Sequence, residues 1–224
     1  MSVEFKKQNV KLEVRGETIS MVFARPAQFK QAIILANGAG IDMKGEFISY
    51  FHEALARAGY LACKFNFLYQ EKGRKAPDRA PVLEETYLAV HDYLVNHEYI
   101  APGDIFIGGK SMGGRIATQI ANRAEVGKIV LLGYPLHPAG KPDQLRDEHL
   151  YDIQTPMLFL SGDRDPLCGL DKLKPIIAKI KPARLHVVEG GDHSFKVLKK
   201  SDLDQDTVMA ETVERIRLFL DTGK

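Results

Sequence analysis

Apolar positions along this chain follow two rhythms. Near the start, VKLEV (Val10 to Val14) and ISMVFA (Ile19 to Ala24) read as strands, and Arg15-Gly16-Glu17 between them reads as a hairpin turn. Pro26 stops the second strand. From Ala32 onward, short runs that are apolar throughout are spaced by helical patterns. The runs are AIILA (Ala32 to Ala36), YLACKFNF (Tyr60 to Phe67), IFIGG, KIVLLGYPL, PMLFLSG and ARLHVVEG. Among the helical stretches, FISYFHEALARAG ends at Gly59, a C-cap residue. A long helix from about Ala80 to Glu98 carries Leu83, Tyr87, Val90 and Leu94 on one stripe. GGRIATQIANRA and DKLKPIIAKI are further helices. A final one carries Met209, Val213, Ile216 and Leu220 on one face.

Strands without a polar face are covered on both sides, and their alternation with helices implies right-handed crossovers. The expected architecture is α/β: a mostly parallel sheet of about eight strands, an antiparallel start, helices on both faces. At 224 residues, one domain spanning 1–224 is expected. Only Leu136 to Thr155 could cover the sheet's edge, so no large lid is expected.

Composition narrows the functional classes. A net charge of +2 is too mild to argue for nucleic acid or an anionic membrane as partner. No apolar run reaches the ~18–20 residues of a membrane helix, and MSVEFKKQNV lacks the apolar core of a signal peptide. Two cysteines, Cys63 and Cys168, suit a reducing compartment, and the cytoplasm is the expected location.

In an open α/β sheet, ligands bind beyond the carboxyl ends of the strands. After AIILA comes Asn37-Gly38-Ala39-Gly40. After IFIGG comes Lys110-Ser111-Met112. After MLFLSG comes Asp163-Arg164-Asp165, and after LHVVEG comes Gly191-Asp192-His193. A serine, an acid and a histidine thus follow three strands, in the chain order of a nucleophile-elbow triad. Gly109-Lys110-Ser111-Met112-Gly113 fits G-x-S-x-G, in which small flanking residues let strand and helix approach. A serine hydroxyl needs a base. His193 is that base by elimination. His52, His91 and His97 lie in helical patterns, His186 lies within a strand, and His137 and His149 precede the acid loop. The oxyanion donors expected are the N–H groups of Met112, at a helix N-terminus, and Ala39. No His, Cys and acid set has metal-site spacing, so neither metal nor cofactor is expected.

Gly109-Lys110-Ser111-Met112-Gly113-Gly114-Arg115 is followed by Tyr134-Pro135-Leu136-His137-Pro138 and by Gly140-Lys141-Pro142-Asp143-Gln144-Leu145-Arg146. Together these resemble the α/β-hydrolase-like family of testis-expressed protein 30 and the non-specific-lethal complex subunit 3, near the dienelactone hydrolases. The resemblance runs from Ala32 to the last helix and implies the α/β-hydrolase fold. Asn37-Gly38 stands where His-Gly is usual. The resemblance also implies the acid: in related hydrolases it lies three residues past the strand-ending glycine, here Gly162, which selects Asp165, followed by Pro166. Asp163 then caps the turn.

Two functions are in view. One is a serine hydrolase cleaving a small ester or thioester through an acyl-enzyme at Ser111, its partner a small-molecule acyl substrate. The other is a binding or scaffold protein on a hydrolase fold, since some members of that family are better known as complex subunits. Two further expectations concern the rim. Cys168 is a structural cysteine beside the site. Cations in the Tyr69 to Ala80 loop (Lys72, Arg74, Lys75, Arg79), with His137, Lys141, Arg146 and Lys110, favour acidic substrates.

Overall fold

The computed structural model describes residues 3–222. Eight strands form one sheet in the order β1-β2-β4-β3-β5-β6-β7-β8. They are β1 (Phe5–Val14), β2 (Glu17–Pro26), β3 (Ala32–Ala36), β4 (Leu61–Phe65), β5 (Ile105–Lys110), β6 (Lys128–Leu132), β7 (Met157–Gly162) and β8 (Ala183–Val188). β1 pairs antiparallel with β2, and β2 with β4; every later pairing is parallel.

The opening hairpin is longer than its apolar pattern suggests. β1 begins at Phe5, because Lys6 to Asn9 occupy an exposed edge where polar side chains cost nothing. Val14 faces Glu17 across a two-residue turn, with Arg15 at φ 55° and Gly16 at φ 74°. That is the turn whose twist matches paired strands. β4 is shorter than expected. Asn66 leaves the strand to accept the Met43 N–H on its side chain at 2.8 Å, and a short helix, α2 (Leu68–Glu71), follows.

β3, β4, β5 and β7 are buried at every position. Successive residues of β3 feed opposite layers. Ile34 and Ala36 join the core beneath α3 (Ala80–His97), α4 (Met112–Ile120) and α5 (Leu170–Ile177). Ile33 and Leu35 join the core beneath α1 (Glu46–Arg57) and α6 (Gln205–Asp221). Helices therefore cover both faces, as continuous apolar strands require. On α6 the buried face is rotated from the expected one. Val208, Thr212, Ile216 and Leu220 lie inside, while Met209 and Val213 sit at its margin. Thr212 is tolerated there because its hydroxyl donates to the Val208 carbonyl at 2.7 Å. Between β6 and β7 the chain forms loops and one 3₁₀ turn (Glu148–Asp152), with no lid.

Candidate active site

Ser111 sits at the seam between β5 and α4 with φ 51° and ψ −116°. A non-glycine residue there is strained, at a cost of about 1–3 kcal/mol, and the surroundings must impose the conformation. The flanking glycines show how. A Cβ on Gly109 would lie 2.2 Å from the Ala36 carbonyl oxygen, and a Cβ on Gly113 would lie 2.4 Å from the same atom. Both sides of the elbow press on the end of β3, so neither position accepts a side chain.

The later strand ends deliver the partners. His193 Nε2 lies 2.9 Å from Ser111 Oγ, and His193 Nδ1 lies 2.8 Å from Asp165 Oδ2. The Asp165 side chain has no exposure, against 22% for that of His193. Its other oxygen, Oδ1, accepts the Leu167 N–H at 2.8 Å. A buried carboxylate with both oxygens engaged fixes the direction of the imidazole. Asp163 serves the turn instead: its Oδ2 accepts the Gly190 N–H at 3.1 Å, tying the β7 end to the β8 end. In the histidine loop, Asp192 Oδ1 accepts the N–H groups of Ser194 (2.7 Å) and Lys196 (3.0 Å), while Phe195 is buried against Phe47.

Ala39 and Met112 lie beside Ser111, and among the described residues neither amide N–H has an acceptor. The Met112 amide opens α4, where the helix dipole favours negative charge. Asn37 is buried and donates from Nδ2 to the Ile41 carbonyl, shaping the loop that carries Ala39.

Ser111 stands between two recesses of about 320 Å³ each. One is bounded by Ile41, Phe47, Ile48 and Leu167, with Glu46, Lys110 and His193. The other, across Ala39 and Leu167, contains Arg115, Arg146, His137 and Asp78.

Several rim expectations need correction. Lys110 lines the apolar recess, but its ammonium is engaged by protein groups. Its Nζ donates to the His193 carbonyl and lies 5.1 Å from the Phe47 ring centre. Burial lowers its pKa to about 8, against the opposing pull of the Asp165 and Asp192 carboxylates. Lys72 pairs with Glu17 at 2.6 Å and Arg74 with Asp78 at 2.6 Å, and neither lines a recess. Arg115, which lines one, closes the elbow motif in the sequence, but nothing in the sequence shows that its side chain faces the cleft. Cys168 is buried, and burial pushes its thiol up to about 12, so it stays protonated.

Fold and site together define an α/β-hydrolase. A family model for the alpha/beta hydrolase domain matches residues 29–221, and the chain belongs to that family. The fold is similar to that of an alpha-beta serine hydrolase homologue from Coxiella burnetii (19% identity, 95% of each chain covered, TM-score 0.73). It is also similar to dienelactone hydrolase from Anabaena variabilis (19% identity, 94% of this chain and 96% of that one, TM-score 0.73). A serine hydrolase without lid from Xanthomonas campestris is 15% identical, over 98% of this chain and 97% of that one, with TM-score 0.73.

Proposed function

We propose that the protein is a serine hydrolase that cleaves small esters or thioesters through an acyl-enzyme on Ser111. The observation that carries this reading is the continuous hydrogen-bonded line from Asp165 through His193 to Ser111. In it, Ser111 Oγ attacks the acyl carbon while its proton moves to His193 Nε2. Asp165 holds the imidazole in the receptive tautomer and stabilises its cation. The N–H groups of Met112 and Ala39 bind the oxyanion; one such donor contributes about 10²–10³ in rate. The tetrahedral species collapses to the acyl-enzyme as His193 protonates the departing alcohol or thiol. Water, deprotonated by His193, then releases the acid.

The recess bounded by Ile41, Phe47 and Ile48 suits a short apolar group. A scaffold role gives the strained Ser111 backbone no use. The linked motif around Tyr134 to Arg146 supports kinship with the testis-expressed protein 30 group. Both cysteines are free and buried, and no described helix is long and apolar enough to cross a membrane; these features support a cytoplasmic location.

The test is turnover of p-nitrophenyl esters of increasing acyl length by the wild type and by Ser111→Ala. Hydrolysis of the short esters, reduced about 10⁴-fold or more in the variant, is expected. A folded wild type that turns over none of them would favour the scaffold reading.

A further inference from the structure

The second recess beside Ser111 holds two guanidinium groups without a carboxylate partner. Arg115 lies one turn into α4, its N–H bonded to the Ser111 carbonyl at 3.0 Å. Arg146 comes from the β6–β7 loop, and that loop is pinned where it matters. The Arg146 N–H donates to the Leu136 carbonyl at 2.8 Å, and its carbonyl accepts the buried Tyr134 hydroxyl at 2.7 Å. Both side chains line the recess together with Ser111 itself.

Nearby acids are engaged elsewhere. Glu84 takes Arg123 at 2.7 Å, and Asp147 accepts the Tyr151 hydroxyl at 2.6 Å. Asp78 is the one carboxylate among the described residues of the recess, and its Oδ1 accepts from Arg74 at 2.6 Å. Its Oδ2 is buried without a hydrogen-bond partner. Among the described residues, neither Arg115 nor Arg146 forms an ion pair. Burial, with the repulsion of Arg146 added, depresses the pKa of Arg115 against the weaker opposing pull of Tyr134 and Glu84. Two like charges held together at a cost, beside a reacting atom, are a device for capturing an anion. The planar guanidinium fork matches carboxylate and phosphate oxygens. The opposite recess carries one charge of each sign, Glu46 and the carbonyl-bound Lys110, so the excess of positive charge lies on the arginine side.

We propose that this recess is a subsite for the anionic end of the substrate, a carboxylate or phosphate on an ester that Ser111 attacks. The proposal rests on the serine-hydrolase reading for the reaction, but binding tests it separately. Ser111→Ala protein is titrated calorimetrically with three short esters of equal length, one ending in a carboxylate, one in a phosphate and one in a neutral amide. Binding of at least one anionic ester about tenfold or more tighter than the neutral one is expected. Whichever anion gains more identifies the natural group. In S111A/R115Q and S111A/R146Q that preference should fall toward unity, whereas S111A/K141Q, altered outside the recess, should keep it.

Equal affinity for all three esters, or a preference indifferent to both arginines, would overturn the subsite. The first result would mean that Asp78 satisfies the arginines itself. Failure of the wild type to hydrolyse any ester, with the anion preference intact, would remove the catalytic reading and leave an anion-binding protein. Circular dichroism of each variant separates lost binding from lost fold.

Discussion

The Lys110 ammonium donates to the main-chain carbonyl of His193, joining the residue before the serine to the residue that faces it. The elbow and the histidine loop come from strands β5 and β8, which are not neighbours in the sheet. This bond ties them directly. Lys110→Met keeps the length and apolar stem of the side chain but loses the donor. We expect kcat to fall about tenfold or more with little change in KM, because misplacing a reacting group slows chemistry more than binding. Steady-state kinetics on a short ester read this out, and an unchanged kcat would release Lys110 from the positioning role.

The same lysine makes stability depend on pH. Its folded pKa lies near 8, against 10.5 for the free side chain. Between those values the unfolded chain holds a proton that the folded chain has lost, so this site's contribution to stability rises with pH. Below pH 8 the burial penalty is present in full, on the order of 3 kcal/mol. Wild type should therefore gain stability relative to Lys110→Met between pH 8 and pH 10. Urea denaturation of both proteins at the two pH values measures the difference. Comparing the pair cancels the buried Cys63 thiol, whose raised pKa acts in the opposite direction.

The two aspartates after β7 should separate cleanly. Asp165→Asn should lower kcat by about 10⁴ through the wrong imidazole tautomer. Asp163→Asn retains an acceptor for the Gly190 N–H and should cost far less. Reversed severities in an ester assay would transfer the acid role to Asp163.

Gly113→Ala should disrupt the elbow. Its Cβ would overlap the Ala36 carbonyl, which belongs to a central strand and cannot yield cheaply. Destabilisation of about 1–3 kcal/mol is expected, with loss of activity. A thermal midpoint equal to that of the wild type would show that the β3 end can move.

Cys168 should be inert to alkylation. Its burial and its raised pKa keep the thiolate scarce, so iodoacetamide should leave ester turnover intact on the time scale of an assay. Rapid inactivation that Cys168→Ala abolishes would contradict this.

Much of the site is legible in the chain because its residues follow strands that are apolar from end to end. AIILA, IFIGG and MLFLSG are buried on both faces, so their ends can be read to within a residue, and Ser111 and Asp165 come just beyond. The polar edge of β1 carries no such signal, which is why the strand reads as starting at Val10 rather than Phe5. Side-chain direction is also hidden. Lys110 and Arg115 both flank the elbow as cations and line opposite recesses, yet one is held by the His193 carbonyl and the other forms no ion pair among the described residues. Tyr87 reads as one more apolar position on α3. In the fold its hydroxyl meets the Ile34 and Gly108 carbonyls at 2.9 and 2.8 Å, a bond made only once β3 and β5 are paired.

The central claim is that Ser111 is a nucleophile activated by His193. Intact mass and peptide mapping after treatment with a fluorophosphonate test it most directly. The wild type should gain a single phosphonyl adduct on Ser111. His193→Ala should label slower by orders of magnitude, and Ser111→Ala should not label. A folded wild type with no adduct on Ser111, or labelling equally fast without His193, would contradict the account.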